Sequence, residues 1–256
     1  MSNSATPFIR FRQICLASLS LDPVEAHIEA ILGVPPCHRS NLEQFGLENT
    51  MFAVGGSFIE IVAPTQEHTA AHRFIERTQG IGGYMAIFDC EEVNRLKQNA
   101  LHQNIGIIYE RSDAKADLLQ LNPRDTGVTL LEFDRHQNGE ERLGAYEWAG
   151  ENWKSAFNPR VDIIDLSFAC HKPQHIAQSW GKLMDKSPDR ENNICLDHGR
   201  LRFVQQANDR PDYFAGITLA ADDPDLYLSR AKKIGLRVED NCFDLAGVQW
   251  SWRKAS

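Results

Sequence analysis

Arg12-Gln13-Ile14-Cys15-Leu16-Ala17-Ser18-Leu19-Ser20-Leu21-Asp22-Pro23-Val24-Glu25 sets a β-like apolar run directly against a helix start. The run Phe8–Leu19 is rich in Ile and Phe, which favour strands. Asp22 reads as an N-cap and Pro23 as the first helical turn. Val24, Ile28, Ile31 and Leu32 recur on one helical face. Gly33 and Pro35-Pro36 then stop the helix. Strands are expected at Leu47–Val54 and Ser57–Ala63, joined by a tight turn at Gly55-Gly56. A further short strand fits Val34–Leu42. The first segment therefore reads strand, helix, then antiparallel strands.

The same order recurs three times downstream. The second copy has a strand at Gly83–Cys90, a helix at Glu91–Gln103, and strands at Ile105–Arg111, Asp117–Leu121 and Gly127–Phe133. The third has a strand at Val161–Cys170, a helix near Pro173–Asp185, and strands near Asn193–Leu196 and Arg200–Gln205. The fourth has a strand at Tyr213–Ala221, a helix at Asp225–Ile234, and strands at Leu236–Glu239 and Gly247–Trp252. Glu67–Thr78 forms an extra helix between units one and two. A unit of about 50–60 residues buries too little surface to stand alone. Pairs of units are expected to close around a shared, strongly curved sheet. The fold class is α+β, with tandem βαβββ modules pairing into cup-shaped mixed sheets and helices outside. Residues 1–135 form the first pair, 136–160 a connector, and 161–256 a degenerate second pair. Trp148 and Trp153 imply that the connector packs onto the body.

The 256-residue chain is 42% hydrophobic and 24% charged, which excludes a disordered or fibrous chain. Residues 1–150 carry 12 basic and 20 acidic side chains, and the remainder 15 of each. That balance leaves no footprint for nucleic acid or an anionic membrane. No segment approaches 18 consecutive apolar residues, so no membrane span is expected. The N-terminal stretch Met1–Pro7 is polar and does not read as a signal peptide. Six scattered cysteines without a CxxC pair read as reduced, mostly buried thiols of a cytoplasmic protein. Gly80-Ile81-Gly82-Gly83 precedes a strand, so it lacks the context of a phosphate-binding loop.

Strand parity supplies the candidate chemistry. Ile59 and Ile61 flank Glu60, and Leu131 and Phe133 flank Glu132. Both carboxylates therefore point away from the helix layer, into the concave face. Two carboxylates in one cup offer a general acid and a general base, with one pKa raised by repulsion and burial. The bland alternative pairs each with an arginine, such as Arg12 or Arg124, as a strand anchor. Arg124 in a turn is suited to a carboxylate or phosphate, or to a local pair with Asp125. His68 and His72 share a helix face without a third ligand nearby. His136 falls at the cup rim. Phe45, Asn49, Met51, Tyr84, Met85 and Trp148 are candidate pocket walls, although core packing is the commoner fate of such residues.

The run Arg12–Ala17 with Leu21–Glu25, Phe58–Pro64, Gly82–Asp89 and Asn122–Gly127 resembles the glyoxalase, or vicinal-oxygen-chelate, superfamily. Residues 8–135 carry the resemblance, and Thr65–Met85 with Asn122–Asp125 is similar to a glyoxalase-like subgroup without a settled function. Residues 161–256 match as a degenerate copy. The resemblance implies four metal ligands: His or Gln on the first strand, Glu on the fourth, His on the fifth and Glu on the last. They fall on Gln13, Glu60, Met85 and Glu132. Three keep an oxygen donor for a divalent metal ion; the thioether suits soft copper(I) instead. In the second half the positions fall near Ile164, Arg202, Gly216 and Trp252, which make no metal site. The resemblance implies a lyase or isomerase moving a proton next to a carbonyl, with Gln13, Glu60 and Glu132 as its machinery. Retention of both glutamates favours that reading. Met85 favours an alternative, a metal-free small-molecule binding or sequestration protein. A ligandless relic is the third. The partner is a small molecule, and the chain is a monomer or homodimer.

Overall fold

The structure, a computed structural model, describes residues 7–255; the polar stretch 1–6 lies outside the described residues. The first half runs β1 (Ile9–Ala17), α1 (Val24–Leu32), β2 (His38–Leu42), β3 (Leu47–Val54), β4 (Ser57–Pro64) and α2 (Ala70–Thr78). It continues with β5 (Met85–Cys90), α3 (Val93–His102), β6 (Ile107–Ser112), β7 (Ala116–Leu121), the short α4 (Pro123–Thr126) and β8 (Leu130–His136). The second half runs β9 (Phe157–Asn158), β10 (Val161–Cys170), α5 (Pro173–Met184), β11 (Asn193–Cys195) and β12 (Arg200–Gln205). It ends with β13 (Tyr213–Ala221), α6 (Pro224–Lys233), β14 (Cys242–Leu245) and β15 (Val248–Lys254).

The strands form two mixed sheets. The larger has the order β2-β3-β4-β1-β5-β8-β7-β6, with β9 added beside β3. The smaller has the order β11-β12-β10-β13-β15-β14. In each, the opening strands of two modules pair antiparallel at the centre, and each first strand runs parallel to its own module's last. Modules of the second half have one strand fewer. The period-2 alternation places Ile9, Phe11, Ile14 and Leu16 in the main core. Ile59, Ile61, Leu131 and Phe133 join them, which leaves Glu60 and Glu132 on the other face. That core is continuous through both halves. Helix α1 packs on α6 and α3 on α5, and the buried faces of all four helices join that core.

Local chemistry explains most boundaries. Gly55 and Gly56 have φ of 52° and 89°, which closes β3 onto β4 as a two-residue hairpin. A Cβ at Gly55 would also meet the Val161 carbonyl at 2.5 Å. Asp22 does not cap α1: Pro23 holds the N-cap position without a side-chain bond. Leu236–Glu239 is not a strand, and β14 instead forms at Cys242–Leu245. Asp240 and Asn241 take positive φ there, so the chain turns before pairing with β15. Among the described residues no helix is long and apolar enough to cross a membrane.

Candidate functional site

Register fixes the geometry of the concave face. Cys15 pairs with Glu60 on one side and Met85 on the other, while Gln13 pairs with Ile87, which pairs with Glu132. Gln13 and Met85 are thus equivalent across the module pair, as are Glu60 and Glu132. A bulge between Phe11 and Gln13 recurs between Ile163 and Asp165. The second-sheet counterparts are therefore Asp165, Arg202, Gly216 and Ser251. Ile164 and Trp252 are each displaced by one residue, and Trp252 stacks on Tyr227, 4.4 Å between centroids.

Glu60 is 7% exposed and held by neutral donors. Asn49 Nδ2 donates to it at 2.6 Å and Gln13 Nε2 at 2.8 Å. The Tyr146 hydroxyl donates to Gln13 Oε1 at 2.7 Å, completing the chain. Glu132, 4% exposed, accepts from Gln120 Nε2 at 2.6 Å. Asp134, two residues along the same face, accepts from Trp148 Nε1 at 2.7 Å. Among the described residues no arginine nitrogen lies within 4.0 Å of these three carboxyls. Burial raises the pKa of Glu60, against the opposing hydrogen bonds from Asn49 and Gln13. Burial and then the Asp134 charge push Glu132 well above the carboxylate range, and burial does the same to Asp134.

The buried arginines go to Asp89 instead. Arg10 Nη2 lies 2.9 Å from Asp89 Oδ2, and Arg12 Nε lies 3.3 Å from the same oxygen. Arg12 also donates to the carbonyls of Gly56, Arg142 and Gly144 and sits over the rings of Phe58, Tyr146 and Trp153. His136 is buried with Nε2 3.7 Å from Asp89 and 3.8 Å from Asp134. Burial lowers its pKa.

Two covers close this face. Tyr146, Ala149 and Trp153 of the connector pack on Met51, Ala53 and Phe58. Ala71 and Ile75 of α2 pack with Met85, Ile87 and Val62. The donor set does not fit a resident divalent ion. Both oxygens of Glu60 and one of Glu132 face carboxamide N–H groups, and the Gln13 oxygen faces a hydroxyl. Met85 packs among apolar side chains. Among the described residues no group of three or more His, Cys, Asp or Glu could hold a metal ion.

Open space lies beside the second cover. A cavity of about 600 Å³ opens between α2, the segment from α4 into β8, and the loop after β12. Tyr84 and Leu130 line it at the edge of the cup, and Arg124 lines it from α4. Phe45 stands elsewhere, 43% exposed, and its ring meets Tyr109 edge-on at 6.0 Å. Asn49 and Trp148 hold carboxyls rather than line this cavity. Arg124 makes no ion pair with Asp125, which accepts from the Gly106 backbone at 2.8 Å. His68 precedes α2 with positive φ, so it shares no helix face with His72.

Asp89, Asp134, Gln120 and Tyr146 were not singled out by the sequence reading. Period-2 counting from Glu132 reaches Asp134, and from Met85 it reaches Asp89. Tyr146 carries no such signal, because an irregular connector brings it to Gln13.

The glyoxalase-like domain family matches residues 14–184. The uncharacterized protein YqjC of Bacillus subtilis (strain 168) is 24% identical over 139 residues, 51% of this chain and 99% of its own length. A hypothetical protein from Staphylococcus aureus superposes with a TM-score of 0.70 at 11% identity, covering 97% of this chain and 100% of that one. A methylmalonyl-CoA epimerase from Mycobacterium tuberculosis gives a TM-score of 0.46 at 19% identity, covering 52% of this chain and 92% of its own.

Proposed function

This chain belongs to the glyoxalase-like domain family, and on that premise we propose that it takes a small organic ligand at the mouth of its first cup, without a resident metal. The cavity of about 600 Å³ beside Tyr84 and Leu130 carries this reading. Its size falls in the range of ligand pockets, and its lining combines apolar side chains with a few polar ones. Metal analysis of the purified protein, with fluorescence-monitored ligand titration before and after chelation, tests it. Binding that survives chelation is expected. Binding abolished by chelation and restored by a divalent ion overturns it. The six unpaired cysteines, three of them buried, support a cytoplasmic setting. Module pairs completed within one chain support a monomer as the working unit.

A second reading is a lyase or isomerase acting next to a carbonyl. The raised pKa values of Glu60 and Glu132 favour it, because a carboxyl that holds its proton more tightly is, once ionised, a stronger base. The ionised carboxyl would take the proton from the carbon and the other, protonated, would deliver its own to the opposite face, with Gln13 orienting Glu60. Both are now covered by α2 and the connector, so this chemistry requires a cover to lift. Exchange of carbonyl-adjacent protons for deuterium, followed by NMR, tests it with Glu60→Gln and Glu132→Gln. Exchange lost in both variants is expected, and exchange equal to wild type in both overturns it.

A further inference from the structure

The cavity at the cup mouth is lined by four arginines drawn from three separate segments. Arg73 and Arg77 stand on successive turns of α2, Arg124 on α4, and Arg210 in the loop after β12. Among the described residues, no carboxylate oxygen lies within 4.0 Å of any of their guanidinium nitrogens, in contrast to the paired Arg10, Arg12, Arg200 and Arg253. Arg73 donates to the His68 carbonyl, and Arg77 sits 5.9 Å from the centre of the Phe74 ring. The single carboxylate lining the cavity, Asp212, is turned to His171, with its Oδ1 2.6 Å from the ring and 2.9 Å from the backbone nitrogen.

Gathering unpaired guanidinium groups around one concavity costs self-repulsion, which an anionic ligand would relieve. The guanidinium fork suits the planar or tetrahedral oxygens of carboxylate and phosphate. The remaining lining is mostly apolar or aromatic, with Phe74, Tyr84, Val128, Leu130 and Tyr213, and its uncharged polar side chains are Thr78, Gln79 and Thr129. Phe74 and Tyr84 pack together at 5.1 Å and give a flat body something to lie on.

We propose that this cavity selects an amphipathic dianion, an apolar body carrying two carboxylate groups or a phosphate. The proposal rests on the reading of the cavity as a ligand site and names the chemistry of its ligand. Recognition is divided: the aromatic lining takes the body, and the arginines take the oxyanions. Because Arg210, Pro211, Asp212 and Tyr213 belong to the second half, that half contributes one wall to the pocket of the first.

Calorimetric titration of the full chain at low salt tests it with three probes sharing one ring system: naphthalene-2,6-dicarboxylate, 2-naphthyl phosphate and the neutral naphthalene-2,6-dimethanol. Arg77→Gln, Arg124→Gln and Arg210→Gln are the variants. All three side chains are exposed, and unchanged thermal unfolding checks their folding. At least one anion is expected to bind about tenfold or more tighter than the diol, weakening with salt and in each variant. The tighter of the two anions assigns carboxylate or phosphate. If the diol binds as well as both anions and the variants change nothing, the dianion proposal falls while the ligand site stands. If no probe binds at millimolar concentration, the ligand site falls and this proposal with it.

Discussion

The two sheets share a plan and handle buried charge in opposite ways. On the first, Gln13, Glu60, Met85 and Glu132 face a covered concavity. On the second, the same register positions hold Asp165, Arg202, Gly216 and Ser251. Asp165 accepts from Arg200 Nε at 2.8 Å and also from Arg253, and both arginine side chains remain over one-third exposed. The carboxylate there is neutralised by cations that keep their contact with water. Glu60, Glu132 and Asp134 are instead held by carboxamides and an indole, and among the described residues no arginine or lysine pairs with them. Neutral donors leave a carboxyl poised to exchange its proton, whereas a pair of arginines fixes it as an anion. On this face the second half carries a neutralised carboxylate, and what it brings to the cavity is the segment 210–213.

The largest effect that separates the halves is on stability. Asp89→Ala strands Arg10 and Arg12 without their counter-charge in a buried setting, at a cost of about 3–5 kcal/mol. Asp165→Ala frees two half-exposed arginines, which rehydrate, at about 1 kcal/mol or less. Urea unfolding of both variants measures the ratio, and equal losses would break the contrast. Tyr146→Phe comes next. It leaves the Gln13 oxygen buried without a donor, for about 1–3 kcal/mol. Ser251→Ala on the second sheet is expected within about 0.5 kcal/mol of wild type.

A smaller effect depends on pH. The folded-state pKa of Glu132 lies well above its ordinary value of 4.5. Between those two pKa values the folded chain holds a proton that the unfolded chain has released. Stability from this group is therefore complete below the ordinary value and is lost as pH rises through the folded one. Glu132→Gln removes the loss while keeping an acceptor for Gln120. The variant should melt a few degrees above wild type at pH 8, with the gap closing near pH 4. A constant gap across that range would show that burial does not govern this carboxyl.

Much of this was legible in the sequence. Alternation around Glu60 and Glu132 fixed their face, because Ile59, Ile61, Leu131 and Phe133 have only one apolar layer to enter. The repeated order of strand and helix gave the module pairing. Two things escaped. Leu236–Glu239 has the composition of a strand, but pairing required the turn at Asp240-Asn241 first. Trp148 and Trp153 announced that the connector packs on the body, but the face it covers and the part played by Tyr146 escaped, because in 3-10 turns and irregular chain no periodicity marks where a side chain points.

Thiol reactivity gives the last and gentlest separation, since it need not change stability at all. Cys15 lies between Glu60 and Met85 under α2, and burial together with the Glu60 charge pushes its thiol well above the ordinary range. Cys90 is buried on the other face of the same sheet, and its thiol is likewise pushed up. Cys195, on the outer strand of the second sheet, is exposed. Only a thiolate attacks an alkylating reagent, so Cys195 should react first. Cys15 and Cys90 should react at a common slow rate set by global unfolding. Mass spectrometry of timed alkylation reads each site separately. Cys15 labelling ahead of Cys90 would mean that α2 lifts while the core stays folded. That result would give the covered carboxyls a route to ligand, which proton-transfer chemistry in this cup requires. Equal rates would leave the cavity outside α2 as the place where a ligand meets this protein.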